Sequence, residues 1–137
     1  MAEYLQYKIL MSKVTAEHAG EPDKNGQFRI VSRTEIIGPN DVCTDSYLII
    51  GASEDKSIVE NEYKYIQTRF ARFLLMLSVS SINLSPEKFQ FVPLQDFTKK
   101  SDIDWNKTLK DIDKQLYVKY KLTNKEISFI ESMMKVM

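Results

Sequence analysis

At 137 residues, with 43% hydrophobic and 28% charged side chains, the chain is long enough to bury one core without disulfides or metals, and four Gly and four Pro exclude a low-complexity linker. Nineteen basic residues balance nineteen acidic ones, so no global field draws the chain onto nucleic acid or anionic lipid, and any such contact must come from a local patch. A single cysteine, Cys43, excludes an internal disulfide; it suits a reducing cytoplasmic setting and reads, within its apolar run, as core filler.

Met1 to Met11 alternates polar and apolar residues and lacks the basic flank and apolar stretch of a secretion signal. Within it Tyr7, Ile9 and Met11 predict a half-buried strand. The stretch from Glu17 to Gly26 is dense in turn formers, with Asn25-Gly26 suited to a tight turn. A second strand is expected over Phe28 to Ser32, a turn at Gly38-Pro39-Asn40, and a third, well-buried strand over Cys43 to Ile50. Together these form a small, mainly antiparallel sheet.

Ser53 is placed to cap a long helix that begins near Glu54, with acidic residues in its first turn, and ends before Pro86. Val59, Ile66, Phe70, Phe73 and Leu77 fall within a narrow arc at 100° per residue and form its buried stripe. Lys64, Thr68 and Arg72 fall on the opposite side, and Gln67 and Arg69 flank the stripe, so the outer face is polar and basic. The stretch Phe70 to Leu84 is the richest in apolar residues, but Arg72 and four Ser or Asn residues make it too polar to span a bilayer, and no membrane role is expected.

Phe89-Gln90-Phe91-Val92 alternates like a returning strand. From Lys99 to Asn106 the chain is a polar surface connection that Trp105 pins to the body. Two short helices close the chain. Thr108 caps the first, with Ile112, Leu116 and Tyr120 at intervals of four; Thr123-Asn124-Lys125-Glu126 is a capping box for the second, whose apolar edge is Ile127, Ile130, Met134 and Met137. The fold class expected is therefore α+β: one domain over residues 1–137, a small sheet packed by one long helix, and a two-helix tail.

Motifs for chemistry are absent. The four glycines are isolated, so no phosphate-cradling loop forms; one Cys and one His, His18, cannot make a structural zinc site; and no Ser sits in a Gly-flanked elbow. No catalytic, metal or cofactor residue is assigned. His18, between Glu17 and Glu21, reads as a solvated loop residue. Pro22-Asp23 with Glu54-Asp55-Lys56 or Glu62-Tyr63-Lys64 has the carboxylate and lysine content of a magnesium-dependent nuclease, a third reading that requires those groups to converge on one ion. Lys64, Gln67, Thr68, Arg69 and Arg72 are the candidate DNA-binding residues: cations for phosphates, an amide and a hydroxyl for backbone or base edges.

Three runs carry a family signature: Cys43-Thr44-Asp45-Ser46-Tyr47-Leu48-Ile49-Ile50-Gly51, Tyr65-Ile66-Gln67-Thr68-Arg69-Phe70-Ala71-Arg72-Phe73-Leu74, and Phe91-Val92-Pro93-Leu94-Gln95-Asp96-Phe97. With the closing segments Asp113 to Tyr120 and Glu126 to Met133, the chain from about Tyr7 onward resembles the C-terminal region of bacterial restriction-modification adenine-specific DNA methyltransferases. In that family an upstream catalytic domain binds S-adenosylmethionine and methylates the exocyclic amino group of adenine through an Asn/Asp-Pro-Pro-aromatic motif. Neither that motif nor a cofactor loop occurs here. The resemblance implies a C-terminal piece of a longer enzyme, non-catalytic by itself, with S-adenosylmethionine expected only in the parent protein. Its implied task is DNA target recognition. The alternative is docking, through the aromatic- and Met-rich C-terminal helices, onto the catalytic methyltransferase domain or a restriction subunit.

Overall fold

The structure is a computed structural model that describes residues 6–12, 22–31, 34–41, 47–78 and 91–137. Three strands form one antiparallel sheet in the order β2-β1-β3, with β1 Tyr7–Ser12, β2 Thr34–Ile37 and β3 Tyr47–Ser53. Because β1 is the middle strand, Lys8 through Met11 are all buried, and the half-buried strand expected from alternation is covered on both faces. The lysine is accommodated by donating from Nζ to the Gln6 carbonyl at 3.1 Å. Ile9 pairs with Gly51 and Leu10 with Ile49, so Ile50 is the extra residue of a β-bulge.

The second strand lies later in the chain than its sequence pattern suggests. Phe28 makes a single parallel bridge with Met134: its N–H donates to the Met133 carbonyl at 2.7 Å, and its carbonyl accepts from Lys135 N at 2.8 Å. That pairing ties this segment to the chain's C-terminal end, and Thr34–Ile37 pairs with β1 instead. The turn at Gly38-Pro39-Asn40 forms as expected, with Asn40 at φ 71°.

Four helices follow: α1 Lys56–Gln67, α2 Arg69–Ser78, α3 Leu109–Lys119 and α4 Asn124–Met133. The cap of α1 is Asp55, whose carboxylate accepts from Ser57 N; Ser53 instead accepts from Asp55 N, and the acidic residues expected in the first turn precede the helix. The long helix is divided at Thr68, whose ψ of 154° is extended. Thr68 Oγ1 donates to the Tyr65 carbonyl at 2.6 Å and accepts from Ala71 N at 3.1 Å, closing one helix and opening the next. Asp113 of α3 completes the junction by accepting from Arg69 N and Phe70 N at 3.1 and 2.9 Å. The first three N–H groups of α2 thus all find oxygen partners.

Breaking the helix resets its phase. Val59, Ile66 and Phe70 are buried as predicted, but Phe73 is only half-buried and Leu77 is 60% exposed. The tail follows its sequence signals: Thr108 caps α3, and Thr123 with Glu126 forms the reciprocal capping box of α4. Ile112, Leu116, Ile130 and Met134 are buried, and Tyr120 stacks on Phe70 at 5.1 Å. Trp105 is buried and donates from Nε1 to the Asp96 carbonyl at 2.9 Å, pinning the 96–106 connection as expected.

The α+β class is as the sequence indicates. Phe91 and Val92 lie in a turn rather than a strand, while Phe89, Gln90, Pro86, Cys43 and the loop holding Glu17, His18 and Glu21 lie outside the described residues. Among the described residues no helix is long and apolar enough to cross a membrane.

Candidate functional site

The five residues expected on an exposed basic face are drawn inward. Thr68 is 0% and Arg72 1% exposed, while Lys64, Gln67 and Arg69 are half-buried. Arg72 joins three segments through backbone carbonyls: Nε donates to Gln67 at 3.1 Å, Nη1 to Arg29 at 3.3 Å and Nη2 to Lys135 at 2.5 Å. Burial lowers its pKa to about 10, partly offset by the nearby Asp113, so it remains a cation at neutral pH. Lys64 donates to the Trp105 carbonyl at 2.8 Å, and Arg69 lies 3.6 Å from Glu131. The cluster is assembled, but as a hydrogen-bonded junction between α1, α2, α3 and the C-terminal residues. The expectation that Thr68 and Arg72 face outward is therefore corrected, and its cause is the phase reset at Thr68.

Asp113 is the acidic member of this junction. Burial raises its carboxyl to about 6 despite the two backbone N–H groups and the Arg72 and Arg69 charges that favour ionisation. At neutral pH it is ionised and supplies the negative charge that the start of α2 favours.

Exposed cations occur elsewhere. Lys110 and Lys114, one turn apart on α3, point outward together with Lys107 before the helix and Lys121 after it. Neither Lys110 nor Lys114 is ion-paired among the described residues. This ridge is legible in the sequence once Ile112 and Leu116 are taken as the inward face, because Lys110 and Lys114 then fall away from it.

A second feature has no forewarning in the sequence. Between β3, α1 and residues 92–97 lies a cavity of about 250 Å³ with mainly apolar walls, among them Ile49, Ile66, Val92 and Phe97. Glu62 reaches into it from α1, and its carboxyl occupies the space where a Cβ on Gly51 would stand. The glycine after the bulge makes room for the acid. Burial pushes the Glu62 carboxyl up to about 7, and it has no hydrogen-bond or ion-pair partner among the described residues. Gln95, also at the cavity, is held by three partners: Nε2 donates to Tyr120 Oη at 2.7 Å and Tyr65 Oη at 3.4 Å, and Oε1 accepts from Lys119 at 2.7 Å.

The carboxylate set considered for metal-dependent cleavage does not converge. Among the described residues no three His, Cys, Asp or Glu side chains are grouped as a metal site. Asp55 is committed to capping α1 and Asp23 to a turn in which it accepts from Asn25 N and Gln27 N, while Glu62 stands alone in the cavity. Comparison with known protein families, with curated proteins and with solved structures finds no match for this chain.

Proposed function

We propose that the chain is a non-catalytic, DNA-facing accessory domain of a restriction-modification adenine-specific DNA methyltransferase, and that it meets DNA phosphates through the lysine ridge of α3. The observation that carries this reading is the outward Lys110–Lys114 pair, flanked by Lys107 and Lys121, in a chain whose net charge is zero. A neutral chain gains DNA affinity only where cations are locally concentrated and unpaired. The family resemblance supplies the enzyme; the ridge supplies the contact. Titration of the chain with labelled mixed-sequence duplex over a range of salt tests it, and salt-dependent binding is expected.

A docking reading has its own support. Phe129 of α4 is 54% exposed and meets Phe73 of α2 edge-on at 5.8 Å, with Leu77 exposed one turn further along α2. Exposed apolar side chains that neighbour one another are the mark of a protein contact. Failure to bind duplex at low salt, with a stable complex to the catalytic domain that Phe129→Asp disrupts, would replace the DNA reading by docking.

A further inference from the structure

We infer that the cavity where the end of α1 and the start of α2 meet α3 and α4 binds a doubly charged phosphate group, with Arg69 and Lys110 as its cationic ligands and Glu131 as the internal carboxylate that the phosphate displaces. The inference stands on this cavity alone and does not depend on the accessory-domain reading.

The helix break at Thr68 sets Arg69 and Arg72 of α2 beside Lys110 and Asp113 of α3, and these four share the walls of a cavity of about 240 Å³ with Gln67 and Glu131. What each charge already does decides what is left for a ligand. The Asp113 carboxylate accepts from Arg69 N and Phe70 N, and the Arg72 guanidinium donates to three backbone carbonyls. These two offset each other in charge as well. Arg69 and Lys110 then stand against one carboxylate, Glu131, which leaves the cavity an excess of positive charge.

Glu131 serves Arg69 poorly. A guanidinium and a carboxylate at their best share two parallel hydrogen bonds of about 2.7–2.9 Å. Here Nη1 of Arg69 lies 3.6 Å from Glu131 Oε2, and Nε of Arg69 is buried with no hydrogen-bond partner among the described residues. The Glu131 side chain is 41% exposed, so water can take up its charge when it leaves Arg69. Lys110 is exposed and has no ion pair among the described residues. A guanidinium fork with an unspent donor, beside a free ammonium on the next helix, suits an oxyanion whose oxygens point in several directions. Charge selects within that class. A singly charged ligand only exchanges like for like with Glu131, whereas a phosphate monoester carries about −1.5 to −2 near pH 7 and gains from both cations.

The test is calorimetric or NMR titration of the whole chain, at constant ionic strength, with inorganic phosphate and with glycerol phosphate. Dimethyl phosphate, a singly charged diester like the DNA backbone, is the control. Saturable binding of at least one doubly charged probe, and weaker binding of dimethyl phosphate by about tenfold or more, is expected. Preference for inorganic phosphate identifies the free ion as the ligand, and equal or tighter binding of glycerol phosphate identifies a monoester. Arg69→Gln should weaken binding by about tenfold or more. Glu131→Gln should strengthen it by about two- to fivefold, because the competitor on Arg69 is gone. A merely structural ion pair predicts no such gain. Lys114→Ala, on α3 but outside the cavity, should leave phosphate binding unchanged while weakening duplex binding, so the two readings can fail separately. Each variant is checked for cooperative unfolding; should Arg69→Gln not fold, the response to Glu131→Gln decides. No saturable binding of either doubly charged probe, equal binding of dimethyl phosphate, or a Glu131→Gln chain that binds phosphate no better than the unaltered one would overturn the proposal.

Discussion

Replacing Arg72 with alanine perturbs the junction where α1, α2, the 28–31 segment and the C-terminal residues meet. The guanidinium donates to three backbone carbonyls and is 1% exposed. A hydrogen bond from a charged group contributes about 1.5–3 kcal/mol, and removal of one partner of a buried charged network costs about 3–5 kcal/mol. Truncation leaves the Arg29 and Lys135 carbonyls without this donor and opens a void, so a loss of about 3–5 kcal/mol is expected. That is a large part of the roughly 5–15 kcal/mol by which a domain is stable. Arg72→Lys keeps the charge but not the fork that spans three carbonyls, and about half the loss should remain. Urea unfolding followed through the fluorescence of Trp105, the single tryptophan, reads both variants. A loss below about 1 kcal/mol for Arg72→Ala, at unchanged denaturant slope, would refute the reasoning.

The same assay separates two phenylalanines that a continuous helix would treat alike: Phe70→Ala, fully inside against Tyr120, should cost about 3–5 kcal/mol, and Phe73→Ala, half-buried beside exposed Phe129, about half as much. Equal losses would restore the single-helix phase. Because Glu62 in the fold holds its proton up to a pH of about 7, against 4.5 for an ordinary glutamate, the folded state binds more protons than the unfolded state between those values. Stability from this group is therefore present below about pH 4.5 and is lost as pH rises through about 7. Glu62→Gln should flatten that decline in denaturation midpoints, leaving the smaller one from Asp113 between about 4 and 6, and an unaltered pH profile would argue against a buried carboxyl. The chain alone should transfer no labelled methyl from S-adenosylmethionine to mixed-sequence DNA, since the Pro-Pro-aromatic motif is absent from it; incorporation above background would contradict that.

Local signals were legible in the sequence because their partners are neighbours. Thr108, and Thr123 with Glu126, cap as their spacing demands, and the Gly38-Pro39-Asn40 turn forms where expected. The division at Thr68 was not legible by the same means, because the groups that stabilise it include Asp113, which meets Arg69 from 44 residues away. One trace of it exists: Asp113 shares the inward stripe of α3 with Ile112 and Leu116, and Arg72 interrupts an apolar run, so both are charges at core positions. Reading Arg72 as an outward cation followed from assuming unbroken helical phase. Phe28 misled in another way, since its apolar pattern serves the bridge to Met134 rather than the sheet. Gly51 and Glu62 meet only once α1 packs on β3, and neither residue type carries a signal of that meeting.

The proposed role rests most directly on the lysine ridge, and the salt dependence of duplex binding measures it. Lys110→Ala with Lys114→Ala should weaken binding nearly equally across unrelated sequences and reduce the slope of log affinity against log salt by about 1.8, or about 0.9 for each phosphate no longer neutralised, with little change in stability. An unchanged slope in the double variant, or no salt-dependent binding by the unaltered chain, would contradict it.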